Sequence, residues 1–364
     1  MDEARPGTGQ PRRRVRTRVK ICGAALASLF ALACGELAAR VVYPTLNPRR
    51  HFRPGIYRAD PKALWVHLPN YAGVCANYYE DVPVHTNSLG LRGPEPGADD
   101  ARAPLRVLCL GDSNTFGLRV GDEETFPACL RRLLAAQGVR AAVWNTGHCG
   151  YDTEQERVML ERFAPRLHPQ VVVLYWLQND LLRSADLPVQ VVDGYLVENR
   201  AAYERFRREV LEGSWRTASR LATLVSIKWR GWRHDRKLAH RLARDARNST
   251  DPKAYARNFA DVRALVERAR ALGARVVVVA HSAKRDLLNG RRNPTVARFE
   301  SDVRALGVPL VSNFEVYAPH LRDGPPLYVR RDDAHPTGRG HALTAEAVLP
   351  HLLSEESGKK AAGR

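Results

Sequence analysis

Long apolar runs are scarce in this 364-residue sequence. The uncharged stretch 21–35 has fifteen residues, the length of a signal-peptide core rather than of a comfortable membrane span. Apolar residues make up 44% of the chain, which excludes wholesale disorder, and their distribution excludes a polytopic membrane protein. Cysteine is sparse as well. Cys22 and Cys34 fall in the apolar stretch, and Cys75, Cys109, Cys129 and Cys149 are scattered beyond it at spacings that match no zinc site. Buried free thiols account for them more simply than a disulfide framework does. No metal and no cofactor is expected. Internal repeats, low-complexity tracts and the patterns of zinc fingers, RNA-recognition motifs and basic zippers are all missing. Nucleic acid is therefore not an expected partner, although the formal charge is +18.

That charge is concentrated. Residues 1–20 carry seven basic and two acidic side chains, and residues 201–248 carry thirteen and five. A charge held in one tail and one insertion says little about the fold and points to a nearby anionic surface. The tail, 1–20, leads into an export segment, 21–43. Arg12, Arg13, Arg14, Arg16, Arg18 and Lys20 precede the apolar run, and Glu36 and Arg40 lie near its far end, where they can snorkel from a tilted span. A retained anchor is the preferred reading. The alternatives are cleavage after Ala31-Leu32-Ala33, giving a secreted or periplasmic protein, and lipidation at Cys34, where Ala31 replaces the usual larger aliphatic residue. Each of them puts the remaining chain outside the cytoplasm.

A turn-rich lead-in, 44–104, precedes a regular alternation of strands and helices, 105–353. Apolar runs at 105–110, 141–144, 171–177, 275–280 and 308–311 predict strands, and the wholly apolar 171–177 is expected to be buried on both faces. Helices are predicted after Thr125 and Pro127, after Asp152 or Thr153, along Tyr255, Phe259, Val262, Val266 and Ala269, and from about Thr337 to Leu353. Such alternation predicts an α/β fold with a doubly wound, mostly parallel five-stranded sheet of flavodoxin-like type, whose ligands sit beyond the carboxyl ends of the strands. Residues 182–250 interrupt it as a helical insertion. Within it, a basic aromatic stretch, 215–233, reads as a solvated helix face or as a lid resting on anionic lipid. Residues 354–364 read as a disordered tail.

Four strand ends carry polar or glycine residues where apolar ones would stabilise more. They are Gly-Asp-Ser-Asn-Thr-Phe-Gly at 111–117, Asn-Thr-Gly-His-Cys-Gly at 145–150, Gln178-Asn179-Asp180, and Asp332-Asp333-Ala334-His335-Pro336 before the last helix. In this order the blocks resemble the SGNH (GDSL-like) hydrolase family, over about two thirds of the chain. Thr86-Asn87-Ser88-Leu89-Gly90-Leu91-Arg92-Gly93 is a softer match to the lead-in of anchored bacterial members. The resemblance implies a serine nucleophile, Ser113, a base, His335, and an orienting carboxylate, Asp332, with the adjacent Asp333 as competitor. It implies oxyanion donors from the Ser113 N–H, the Gly150 N–H and the Asn179 amide, with Gly147 a rival to Gly150. Leu177 stands where the family usually has glycine. His148 and His341 read as structural.

The activity so implied is serine-dependent hydrolysis of a carboxylic ester through an acyl-serine intermediate, on an acylated glycan or a short-acyl lipid. An O-acyltransferase to an envelope glycan would use the same residues. A non-catalytic glycan-binding protein would keep the fold alone.

Overall fold

A computed structural model describes residues 12–43, 46, 55–76, 81–213, 218–226, 251–329 and 332–353. The tail before residue 12, most of the basic stretch 215–233 (including Trp229 and Trp232), the side chain of Cys75 and the C-terminal 354–364 lie outside the described residues.

The five predicted runs form one sheet: β1 (Leu105–Gly111), β2 (Ala141–Asn145), β3 (Val171–Trp176), β4 (Arg275–Ala280) and β5 (Leu310–Ser312). Their order is β5-β4-β3-β1-β2, and every pairing is parallel. All six residues of β3 are buried, as a central strand covered on both faces requires. Alternate residues of each strand serve two cores. Leu108, Leu110, Leu174 and Val278 face α3 (Thr153–Leu167), α4 (Pro252–Ala271) and α5 (Pro294–Ala305). Val107, Cys109, Val173 and Val277 face α2 (Phe126–Ala136) and α6 (Gly338–Leu353). Helix α5 was not anticipated from the sequence pattern; it supplies Val296, Phe299 and Val303 to the first core.

The chain leaves β1 toward the sheet edge at β2 and returns on the other side as β3. The resulting crevice at the carboxyl ends is where ligands bind in such folds, and three of the four polar blocks open into it.

The lead-in is built into this body. It contains two antiparallel hairpins, Tyr57–Asp60 with Leu64–His67 and Ala72–Ala76 with Asp81–His85. Trp65, Val66 and Leu91 are buried in the same core as α3 and α4. The Arg92 backbone bridges to Asn145 at the end of β2. The described part of the insertion begins with a hairpin, Gln190–Val192 with Tyr195–Val197, and a helix, Arg200–Leu211.

The N-terminal apolar run is the middle of one continuous helix, α1 (Arg12–Val42), whose Ile21, Leu26, Leu29, Phe30 and Val41 are exposed. Residues 18–42 of it are long and apolar enough to cross a membrane. Its charges near the far end are held by protein rather than left free. The Glu36 carboxylate accepts from Arg40 Nε (2.8 Å), Ser219 Oγ (2.7 Å) and the N–H groups of Arg220 (3.1 Å) and Leu221 (2.9 Å). Arg220 Nη1 donates in return to the carbonyls of Arg40 (2.9 Å) and Tyr43 (3.3 Å), two of the groups a helix end leaves without intrahelical partners.

Candidate active site

β1 ends in Gly111, whose φ of +152° lies outside the range ordinary side chains adopt readily. A Cβ there would overlap Thr115 Oγ1, so the sharp exit from the strand needs glycine. Asp112 follows as N-cap of a one-turn helix, Ser113–Phe116, and its Oδ1 accepts from the Asn114 N–H (2.9 Å). Ser113, the first residue of that turn, therefore stands at the top of the sheet with its hydroxyl turned toward the crevice.

The last block reaches the same place from a position 222 residues further on. His335 Nε2 lies 2.9 Å from Ser113 Oγ, and His335 Nδ1 lies 2.8 Å from Asp332 Oδ2. The ionised carboxylate accepts from Nδ1–H, which leaves Nε2 as the ring nitrogen able to accept the serine proton. Asp332 Oδ1 accepts from the N–H groups of Ala334 (2.9 Å) and His335 (3.0 Å), so its orientation is fixed by its own turn. Burial pushes this carboxyl up, but the hydrogen bonds and charge of His335 and the backbone donors outweigh it and hold the group well below the usual carboxylate range. Between the two neighbouring acids the geometry is unambiguous: Asp333 is exposed and faces Arg285 at 3.9 Å.

The other two blocks follow β2 and β3, at the same end of the sheet. Asn179 sits in a 3-10 turn after β3, Gln178–Leu181, and gives one amide N–H to Asp112 Oδ2 (3.0 Å), which fixes the plane of the amide. Leu177 has φ −119°, extended backbone open to any residue, so the turn forms without the family's glycine. Gly150 has φ +78°, a conformation that favours glycine. Among the described residues its N–H and that of Ser113 meet no acceptor, whereas the Gly147 N–H is taken by Asn145 Oδ1 (3.0 Å).

Two arginines that motif reading passed over hold this site. Arg92 is buried, and it donates to Asp122 Oδ1 (2.8 Å) and to the carbonyls of Phe116 (2.9 Å), Gly117 (2.6 Å) and Val120 (2.7 Å). It thereby ties the lead-in to the loop that leaves Ser113, and its place in the 86–93 segment was the only sequence hint. Arg119, in that same loop, donates through Nη1 to Asp332 Oδ2 (2.8 Å). Nothing in its sequence surroundings marks it.

The remaining histidines near the site are buried. His148 stacks between His67 (3.8 Å) and Tyr151 (4.6 Å), its Nδ1 meets the Thr146 carbonyl (2.9 Å), and its Nε2 accepts from the His67 N–H (3.2 Å). Burial pushes it down to about 4, and burial pushes His281 and His341 down to about 3. All three are neutral near pH 7. Behind Asn179 lies a group of buried acids, Asp112, Asp152, Glu156 and Asp180, each raised by burial, Glu156 and Asp180 furthest because their acidic neighbours add to it. Among the described residues no group of three or more His, Cys, Asp or Glu side chains is arranged to hold a metal ion.

A parallel sheet whose crevice holds a hydroxyl, an imidazole and a carboxylate in hydrogen-bonding sequence has the arrangement of a serine hydrolase. Over residues 109–343 the chain matches the GDSL-like Lipase/Acylhydrolase family, and it belongs to that family. No curated protein matches it. Among solved structures it is similar to a member of the lipolytic protein G-D-S-L family from Veillonella parvula (12% identity, TM-score 0.40, covering 67% of this chain and 96% of that one). It is also similar to TesA (15%, 0.41, 68% and 97%) and to an acetyl xylan esterase (15%, 0.40, 68% and 100%).

Proposed function

We propose that this protein is a membrane-anchored esterase, acting outside the cytoplasm, that removes a short acyl group from an acylated glycan or lipid through an acyl-serine intermediate. The observation that carries the reading is the continuous path Ser113 Oγ–His335 Nε2 (2.9 Å) and His335 Nδ1–Asp332 Oδ2 (2.8 Å). A serine hydroxyl is a weak nucleophile until a base takes its proton. His335 accepts that proton as Oγ bonds to the carbonyl carbon. The charge developing on the carbonyl oxygen meets the N–H groups of Ser113 and Gly150 and the second amide N–H of Asn179. Collapse of the tetrahedral species expels the alcohol, which takes the proton from His335. Water, deprotonated by the same nitrogen, then releases the acid and restores the serine. Asp332 stays ionised throughout and holds the imidazole.

Anchoring is supported by α1, long and apolar enough to cross a bilayer, with its basic flank on the side that stays in the cytoplasm. The test is labelling of the full-length protein, in detergent micelles, with a fluorophosphonate probe. Wild type is expected to label and Ser113→Ala is not. Equal labelling of both, or of neither, refutes the serine mechanism.

A further inference from the structure

Arg119 has φ +70°. Glycine adopts that conformation freely and a side chain does so at a cost. The Arg119 side chain makes a specific contact. Its Nη1 lies 2.8 Å from Asp332 Oδ2, the same oxygen that receives His335 Nδ1–H at 2.8 Å. Two donors thus share one oxygen, one of them permanently cationic. The Arg119 side chain is 37% exposed against 11% for Asp332, so it approaches the carboxylate from the solvent side of the site.

An aspartate behind a catalytic imidazole has two effects. It fixes the ring, and its negative charge favours the imidazolium that forms when the ring takes a proton. A guanidinium on the same oxygen leaves the first effect and weakens the second. Resting on the serine-hydrolase reading above, we infer that Arg119 is a positioning residue that offsets the Asp332 charge behind His335, and so sets the pH below which His335 stops accepting the Ser113 proton.

The other groups around the imidazole do not supply this function. Asp112, from the end of β1, is buried and interacts with His335 through space. His281, after β4, and His341, on α6, face it as neutral rings. Asp333 turns away toward Arg285. Among the described residues Arg119 is the only arginine or lysine bonded to Asp332.

The experiment compares fluorophosphonate inactivation rates from pH 5 to 9 for full-length wild type, Arg119→Gly, Arg119→Lys and Ser113→Ala. Glycine fits φ +70°, so Arg119→Gly removes the side chain without straining the backbone. Without the guanidinium the imidazolium gains stability, and the acid limb of the profile is expected to move to higher pH. Arg119→Lys, which keeps a cation on the same side, is expected to return the limb toward wild type. An acid limb that stays at its wild-type pH in Arg119→Gly, whatever happens to the rate or the melting temperature, overturns the inference. If Ser113→Ala still labels, the serine reading itself has failed. If Ser113→Ala is silent and only the limb fails to move, the role of Arg119 alone has failed.

Discussion

Asn179 can be precise as a donor because half of its amide is already committed. One N–H is held by Asp112 Oδ2 at 3.0 Å, and Asp112 is itself fixed as the cap of the turn that presents Ser113. In the proposed mechanism the second N–H, whose plane this bond fixes, meets the developing oxyanion without reorganisation. Asn179→Ala is expected to lower kcat by about 100- to 1000-fold while KM changes little, since the lost bond strengthens only in the transition state. Steady-state kinetics on a short p-nitrophenyl ester checks this; an unchanged kcat removes Asn179 from the oxyanion site. At this scale the sequence was informative wherever chemistry displaces stability: polar residues directly after apolar strands, such as Ser113 and Asn179, stood out, as did His335 just before the last helix. It was silent where a side chain acts across a fold. Arg119 meets Asp332 across 213 positions, and its positive φ is a backbone property that no residue pattern carries. Between Asp332 and Asp333 the family resemblance already favoured Asp332, and the 2.8 Å contact with His335 Nδ1 agrees with it.

The helices show how alternation is read and where it stops. β1 to β5 and α2, α3, α4 and α6 were legible because their apolar spacing matches strand or helix and their caps are ordinary: Thr125 before α2, Asp152 before α3, Asp251 before α4. α5 went unread, although Asn293 caps it and Pro294 opens it, because the charged Glu300 occupies its buried face between Val296, Phe299 and Val303. α3 also carries a feature that hydropathy conceals. Glu156 points into the core, and both carboxyl oxygens lack hydrogen-bond partners among the described residues. Burial raises it well above the usual carboxylate range, and Asp112 and Asp152 raise it further. The folded protein therefore keeps a proton there that the unfolded chain releases once pH passes the ordinary glutamate range, so this group costs stability as pH rises through that interval. Glu156→Gln cannot ionise and escapes the cost. Relative to wild type its melting temperature is expected to be higher at pH 8 than at pH 5, by on the order of 2–4 °C for each kcal/mol of cost removed. Melting curves of both proteins at the two pH values decide the matter. A difference independent of pH contradicts a buried, protonated Glu156.

Across the whole molecule, the parts that looked separate in sequence are joined by buried or paired charges. Lead-in and catalytic loop share Arg92; apolar helix and insertion share Glu36 and Arg220. The alternation of 105–353 gave no indication of either joint, because each starts from a segment outside it. The second joint bears on whether α1 is kept. Cleavage after Ala33 would leave Glu36 as the third residue of the new chain, with no preceding helix turn to hold its carboxylate against Ser219, Arg220 and Leu221. A Cβ on Gly35 would stand 3.0 Å from Leu221 Cδ2, so the two segments are packed closely as well as paired. The mature protein is therefore expected to keep α1, to remain in the membrane pellet after carbonate extraction, and to show an intact mass that includes residues 12–33. A Gly35→Cys, Leu221→Cys pair in a Cys34→Ala background is expected to cross-link with a short bismaleimide, and Glu36→Ala to reduce the yield. Recovery of a soluble protein beginning at Cys34 contradicts the retained helix. Cross-linking unaffected by Glu36→Ala would mean that packing at Gly35 holds the joint without its charges.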